Sequence, residues 1–387
     1  MTAEGWSASP VWEEPVVAPA RAIAPRRLVH PNRLSLEIGE AGAVPLCWSG
    51  STEKMDYLNL GDAFAPMLVA ALTGRGIERV PMRSVATRLA GVGYVAHGLA
   101  GGETFVWGAG CGTYRTEGGV SVPYQRPPDT AFRLFATRGP LSAHLMGEEN
   151  WQGRRPVYGD PVWLLPRLYR PDIPKRYELG VVLHLSELAD RAFTPHPLPE
   201  FRRFEVPEEL QSSVRLLHTV VPIDPLQVQA RIDDILACKR IVSMSFHGLV
   251  IAETYGIPCL FFAPTGGPQG AVELPLSFDQ RAIDHRFVDY YMGLGRSRHW
   301  VYSQRRDRPT DWGDVIAAVD RVWQPAAQDE EALLDAFPLD LAPLATGPTD
   351  LFRHPLMHGL PFRSSVQALR QEEAVRRARL RQAVPRA

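Results

Sequence analysis

Short apolar runs alternate with stretches of helical spacing through most of this chain, and glycine, proline or a polar turn divides each from the next. Residues 44–48 form the first strand-like run, followed by a polar loop and helical spacing over 63–73. Strand-like runs recur at 104–107, leading into Gly108-Ala109-Gly110, and at 131–137, leading into Arg138-Gly139. A helix is expected to open at Pro140, because the N–H that proline lacks would be unpaired in a first turn anyway. Residues 157–158 run into a Gly159-Asp160-Pro161 turn, and 169–176, with Pro171 and Pro174, reads as a linker.

A second alternating block follows. Strands are expected at 179–183, ending at His184, and at 214–221. Asp224 and Pro225 supply an N-cap and a first-turn proline for a helix to about residue 238. The clearest unit is 240–264, RIVSMSFHGLVIAETYGIPCLFFAP. It reads as a strand at 241–244, a turn bearing His247, a helix over 248–255 ended by Gly256, and a strand at 259–263. Further helices are expected at 284–294 and 312–323. The basic, helix-prone segment 364–381 reads as a solvated arginine face.

Two such blocks in series predict an α/β fold, with two doubly wound Rossmann-like domains facing a cleft in a GT-B-like layout. The expected divisions are a mobile Pro/Ala/Arg-rich arm at 1–40, an N-terminal domain at 41–175, a C-terminal domain at 176–330, and an extension with a basic helix at 331–387. With 42 Lys and Arg against 43 Asp and Glu in 387 residues, net charge is -1, so no global field recruits nucleic acid or an anionic membrane. Cys47, Cys111, Cys238 and Cys259 are widely spaced and read as buried thiols of a reducing compartment, not a zinc site. No apolar run approaches the ~20 residues that span a bilayer. The N-terminus is unlike a signal peptide. A cytoplasmic protein is expected, with at most peripheral membrane association.

In open α/β sheets ligands bind at the carboxyl ends of the strands. Asn59-Leu60-Gly61-Asp62, Gly108-Ala109-Gly110, Arg138-Gly139, His184 and His247-Gly248 all fall there, divided between the two halves. That distribution points to one anionic ligand shared across the cleft. A guanidinium at Arg138 suits bidentate capture of a carboxylate or phosphate, though an ordinary ion pair would explain it too. His184 carries the same two readings. His247 stands beside a helix N-terminus, where anions are attracted, or else merely caps the helix. Gly61-Asp62 is either a turn and cap or a close approach for sugar or phosphate. The glycines at 108–110 do not complete a dinucleotide fingerprint, so no nicotinamide cofactor is expected. Glu253 either orients a ligand hydroxyl or faces solvent.

These residues, taken in order, resemble the polysaccharide pyruvyl transferase family. The matching elements are N-x-G-D at Asn59, Gly61 and Asp62; the glycine turn of VWGAG ending at Gly110; R-x-x-x-S at Arg138 and Ser142; and Gly159-Asp160-Pro161. A strand ending at His184, an I-D-P helix start at Ile223–Pro225, the S-x-x-x-H-G-L element from Ser243 to Leu249, G-I-P at 256–258 and D-Y-Y at 289–291 complete the set. The resemblance spans roughly residues 59–295. It departs at the signature itself: Ser245 stands where many members carry an arginine associated with the phosphoenolpyruvate donor.

The resemblance implies transfer of a pyruvyl group from phosphoenolpyruvate, as co-substrate, to two hydroxyls of a glycan, free or lipid-linked, giving a cyclic ketal. It assigns His247 as general acid, with Asp62 handling the acceptor. It places Arg138, His184, Ser243, Ser245 and Gly248 at the donor, and Asn59, Gly61, Gly108 and Gly110 at the acceptor. The scheme calls for no metal or further cofactor. A nucleotide-sugar glycosyltransferase and a non-catalytic glycan binder are the rival readings.

Overall fold

A computed structural model describes residues 21–147, 156–265 and 267–383 of the chain. The first block folds as a six-stranded parallel sheet of β1 (Val44–Cys47), β2 (Ile77–Arg79), β3 (Arg88–Ala90), β4 (Glu103–Ala109), β5 (Ala131–Thr137) and β6 (Val157–Tyr158), in the order β6-β5-β4-β3-β1-β2. The second block forms another six-stranded sheet from β7 (Leu179–Leu183), β8 (Val214–His218), β9 (Ile241–Ser243), β10 (Cys259–Ala263), β11 (Gly270–Pro275) and β12 (Arg298–Ser303). Its order is β8-β7-β9-β10-β12-β11, and only the edge strand β11 runs antiparallel. β7 and β10 are buried at every residue, as strands covered on both faces must be. In each sheet the parallel strand order has a switch point, between β1 and β3 and between β7 and β9. Loops leaving such a point diverge and open a crevice at the carboxyl edge.

Helices α1 (Arg33–Ala41), α2 (Leu60–Thr73), α3 (Pro140–Met146), α4 (Pro225–Leu236), α5 (Phe246–Thr254), α6 (His285–Gly293), α7 (Trp312–Val322) and α8 (Val366–Ala383) complete the frame. α2 is apolar almost all round, and every residue but Asp62 is buried, as suits a helix packed within a core. It touches α4 and α5 of the second block, and one continuous apolar cluster joins the two halves. The expected strand at 214–221 is in fact divided. β8 ends at His218, and Val220–Val221 turns to pair antiparallel with Leu58–Asn59 of the first half. That pairing delivers the start of α2 to the second sheet.

Two helix starts lie earlier than the periodicity suggests. α2 begins at Leu60 and α5 at Phe246, so Asp62 and His247 occupy first helical turns and not the preceding loops. The arm expected to be mobile is docked from residue 21; residues 1–20 lie outside the described residues. Arg26 pairs with Leu341, and Asn32 and Ser35 form a capping box for α1, whose Leu34 and Ile38 are buried. At the other end, the basic helix α8 is anchored by its acid: Glu373 takes bonds from the Ser84 hydroxyl and the Val85 N–H. The four cysteines are buried and unpaired. No described helix is long and apolar enough to cross a membrane.

Candidate active site

The switch point of the first sheet holds Asp62. Asn59 caps α2 by accepting the Gly61 N–H at 3.2 Å, which sets Asp62 in the first turn, beside the Gly93 loop that follows β3. Burial pushes the Asp62 carboxyl up to about 7, and the charges of Arg138 and Arg286 pull the other way. Arg138 follows β5 and has no exposed surface. Its guanidinium lies over Phe246 at 4.2 Å and Tyr94 at 5.7 Å, and Nε donates to Asp160 Oδ2 at 3.3 Å. Asp160 is itself buried and held by the Val162 N–H at 3.0 Å. Nη2 ion-pairs with the same Asp160 Oδ2 at 3.3 Å without hydrogen-bonding geometry, and among the described residues Nη1 has no acceptor. Buried donors are nearly always satisfied, so this vacancy needs an explanation. An anionic ligand supplies one.

His184 and His247 come from the switch point of the second sheet. His184 Nδ1 accepts the Ser186 N–H at 3.2 Å, which assigns the ring proton to Nε2. Burial, reinforced by the charge of Arg286, lowers this histidine to about 4. His247 is pressed against the start of α2. A Cβ added to Gly61 would stand 1.8 Å from His247 Nδ1, so the glycine is what lets the two helix N-termini meet at this ring. Its Nε2 is buried without a partner. Burial first, then Arg138 and Arg286, hold His247 well below its ordinary range, so the imidazole is neutral.

Several members of the site escape a reading of the sequence. Arg286, in the first turn of α6, reaches Asp62, His184 and His247 with its charge. Tyr94 walls the Arg138 pocket. Asp289 caps α3 directly after Arg138-Gly139, accepting the N–H groups of Leu141 at 2.9 Å and Ser142 at 3.2 Å. Tyr290 accepts from the Trp163 indole at 2.9 Å. α6 therefore clasps the first half at the residue that follows Arg138. The D-Y-Y triplet was a visible signal for this contact. An arginine two residues after the Asp284 cap was a fainter one.

Other expected ligands are occupied by the fold itself. The Ser243 hydroxyl bonds the Val182 and Ser245 carbonyls at 2.9 and 2.8 Å and accepts the Ser245 N–H, so it pins the turn and has no capacity left for a donor. Gly248 is required because a Cβ would meet that hydroxyl at 2.6 Å. Ser245 is buried and makes no side-chain cap. On the acceptor side, Asn59 is a cap and Gly61 makes room for His247. Gly108, at φ +86°, makes room for Pro161, and Gly110 for Tyr94 and Arg138. These glycines shape the site by making room for protein side chains. Glu253 faces neither solvent nor the site: it is buried and accepts from the Tyr291 hydroxyl at 3.1 Å.

Residues 129–266 match the family model described as polysaccharide pyruvyl transferase, which bears out the resemblance over that span. No curated protein and no solved structure matches the chain. The matched span includes Arg138, Asp160, His184 and His247, and stops short of Arg286.

Proposed function

We propose that the protein transfers the pyruvyl group of phosphoenolpyruvate to two hydroxyls of a sugar in a bacterial polysaccharide or its lipid-linked precursor, closing a cyclic ketal. The two sheets are read as GT-B-like halves, with the donor between Arg138, His184 and the first turn of α5. One observation carries the reading: the buried Arg138 guanidinium, whose Nη1 has no protein partner among the described residues, inside the span that matches the pyruvyl transferase family. A carboxylate or phosphate oxygen would satisfy that donor, and charge-assisted bonds are strongest where water is excluded.

The residues divide the chemistry as follows. His247 is neutral in the free protein because burial and two arginines disfavour its cation. An anionic donor cancels those charges and lets the ring take a proton. His247 then delivers that proton to the methylene carbon of the enol, leaving an oxocarbenium-like centre at the carbon that bears carboxylate and phosphate. The first sugar hydroxyl attacks this carbon and gives up its proton, for which Asp62, near 7, is a suitable base. The carbon–oxygen bond to phosphate breaks, phosphate departs, and the second hydroxyl closes the ring with loss of its own proton. Each turnover converts one donor and one diol into one ketal and one phosphate.

Phosphoenolpyruvate should raise the melting temperature in a concentration-dependent way, and phosphate should appear when a glycan acceptor is added. A shift with a nucleotide sugar, and none with phosphoenolpyruvate at millimolar concentration, would favour a glycosyltransferase. Donor binding without release of phosphate on any acceptor glycan would favour a non-catalytic binder.

A further inference from the structure

Arg286 occupies an electrostatically unfavourable place. It lies in the first turn of α6, where unpaired N–H groups already present positive charge. The N-cap Asp284 offsets part of that cost, taking Arg286 Nε at 3.0 Å and Nη2 at 2.7 Å. Those bonds fix the plane of the guanidinium, and among the described residues none accepts from Nη1. The side chain keeps 25% of its surface open, unlike the sealed Arg138.

Its neighbours aim it at the site. His285 stands edge-on to Tyr94 at 6.2 Å, and Phe287 packs on Phe246 at 5.4 Å. Tyr94 and Phe246 are also rings over which the Arg138 guanidinium lies. Both residues flanking Arg286 thus touch rings that line the Arg138 guanidinium. The signature position, Ser245, brings only a small buried side chain to the same place.

We propose that Arg286, oriented by Asp284, is a donor ligand that binds the phosphate of phosphoenolpyruvate and supplies the cation that Ser245 lacks. This rests on the donor assigned above. A donor with two anionic groups calls for two cations. The dry, fixed Arg138 suits the carboxylate, which stays on the product. The accessible Arg286 suits the phosphate, which must leave. An additional arginine at residue 245 is then unnecessary, because α6 provides the charge from outside the signature.

Arg286→Gln should weaken phosphoenolpyruvate binding by about 10–100-fold, as loss of a charged hydrogen bond does, and should weaken competition by inorganic phosphate in parallel. The acceptor KM should change far less. Phosphoenolpyruvate affinity within twofold of wild type in the folded variant would overturn the proposal. Should the variant fail to fold, the wild-type chain gives the answer by dicarbonyl modification of arginine, read by peptide mass spectrometry. Arg286 should be modified in the free protein and protected by phosphoenolpyruvate; an unchanged rate would overturn the assignment. Protection by a nucleotide sugar, with none by phosphoenolpyruvate, would instead overturn the donor reading on which the proposal rests.

Discussion

Arg138, at the carboxyl edge of the first sheet, and Arg203, beside the second, are both wholly buried and both lie 3.3 Å from a buried carboxylate, Asp160 in one case and Glu187 in the other. Each is laid over a phenylalanine, Phe246 at 4.2 Å and Phe262 at 4.1 Å. They differ in what their terminal nitrogens do. Arg203 gives Nη1 to the Gln304 carbonyl at 3.3 Å and Nη2 to the Phe262 carbonyl at 2.9 Å, stitching its loop to β10 and to the residue after β12. Arg138 hydrogen-bonds no carbonyl with either: Nη2 only ion-pairs with Asp160, and Nη1 has no partner among the described residues. A buried ion pair is therefore a poor marker of a site. Arg203 also leaves one buried donor, Nε, unused, so it is the terminal nitrogens that separate the two arginines.

The contrast can be broken in order of expected effect. On the site side, His247→Gln keeps a hydrogen-bonding group but cannot deliver a proton. Turnover should fall roughly 10²–10⁴-fold while donor affinity and melting temperature stay close to wild type. Near-normal turnover would leave the chemistry without its proposed acid. On the scaffold side, Arg203→Met strands Glu187 in the interior and should destabilise the fold by about 3–5 kcal/mol in urea unfolding, with phosphoenolpyruvate affinity of the folded protein unchanged. A change in that affinity would erase the distinction between the two arginines.

Smaller effects sharpen it. Arg138→Lys keeps the charge and loses the planar fork, so calorimetry should show donor binding weaker by ~1–3 kcal/mol; equal affinity would return Arg138 to the same structural class as Arg203. Asp62 gives the pH test. Its carboxyl rises from an ordinary 3.8 to about 7 on folding, so the folded state holds the proton more tightly than the unfolded state. Its contribution to stability falls as pH rises between those values and is level above them. Asp62→Asn should therefore raise the melting temperature more at pH 8 than at pH 5. An equal change at both would mean that the carboxyl is not raised.

The sequence reveals the parts of this fold that depend on local pattern. β7 and β10 are contiguous apolar runs closed by turns, and their bounds follow from that alone. β2 and β3 are three-residue strands carrying Glu78, Arg79 and Arg88, and nothing in the run announces them. Arg88 can be buried because four carbonyls accept from it, Ser84 and Ala86 at 2.9 and 3.1 Å and Met82 and Ala100 at 3.3 Å. The same division holds at the site. Asp62, Arg138, His184 and His247 stand at strand ends or helix starts that periodicity can locate. Arg286 is close to them only because Phe287 packs on Phe246, a contact between distant segments. Ser243 and Gly248 belong to a recognisable signature, but spacing could not tell whether the signature serves the ligand or its own turn.

The returning tail has a consequence for how the molecule is made. The first sheet is closed over by chain that follows the second: the Ser51 N–H donates to the Phe362 carbonyl, Ser51–Thr52 pairs with Arg363–Ser364, Arg26 pairs with Leu341, and Glu373 accepts from Ser84 and Val85. During synthesis the N-terminal half leaves the ribosome first, yet it must wait for everything through the second sheet before its own surface is finished. Cotranslational folding would thus leave the early half partly open until the segment 363–383 has emerged.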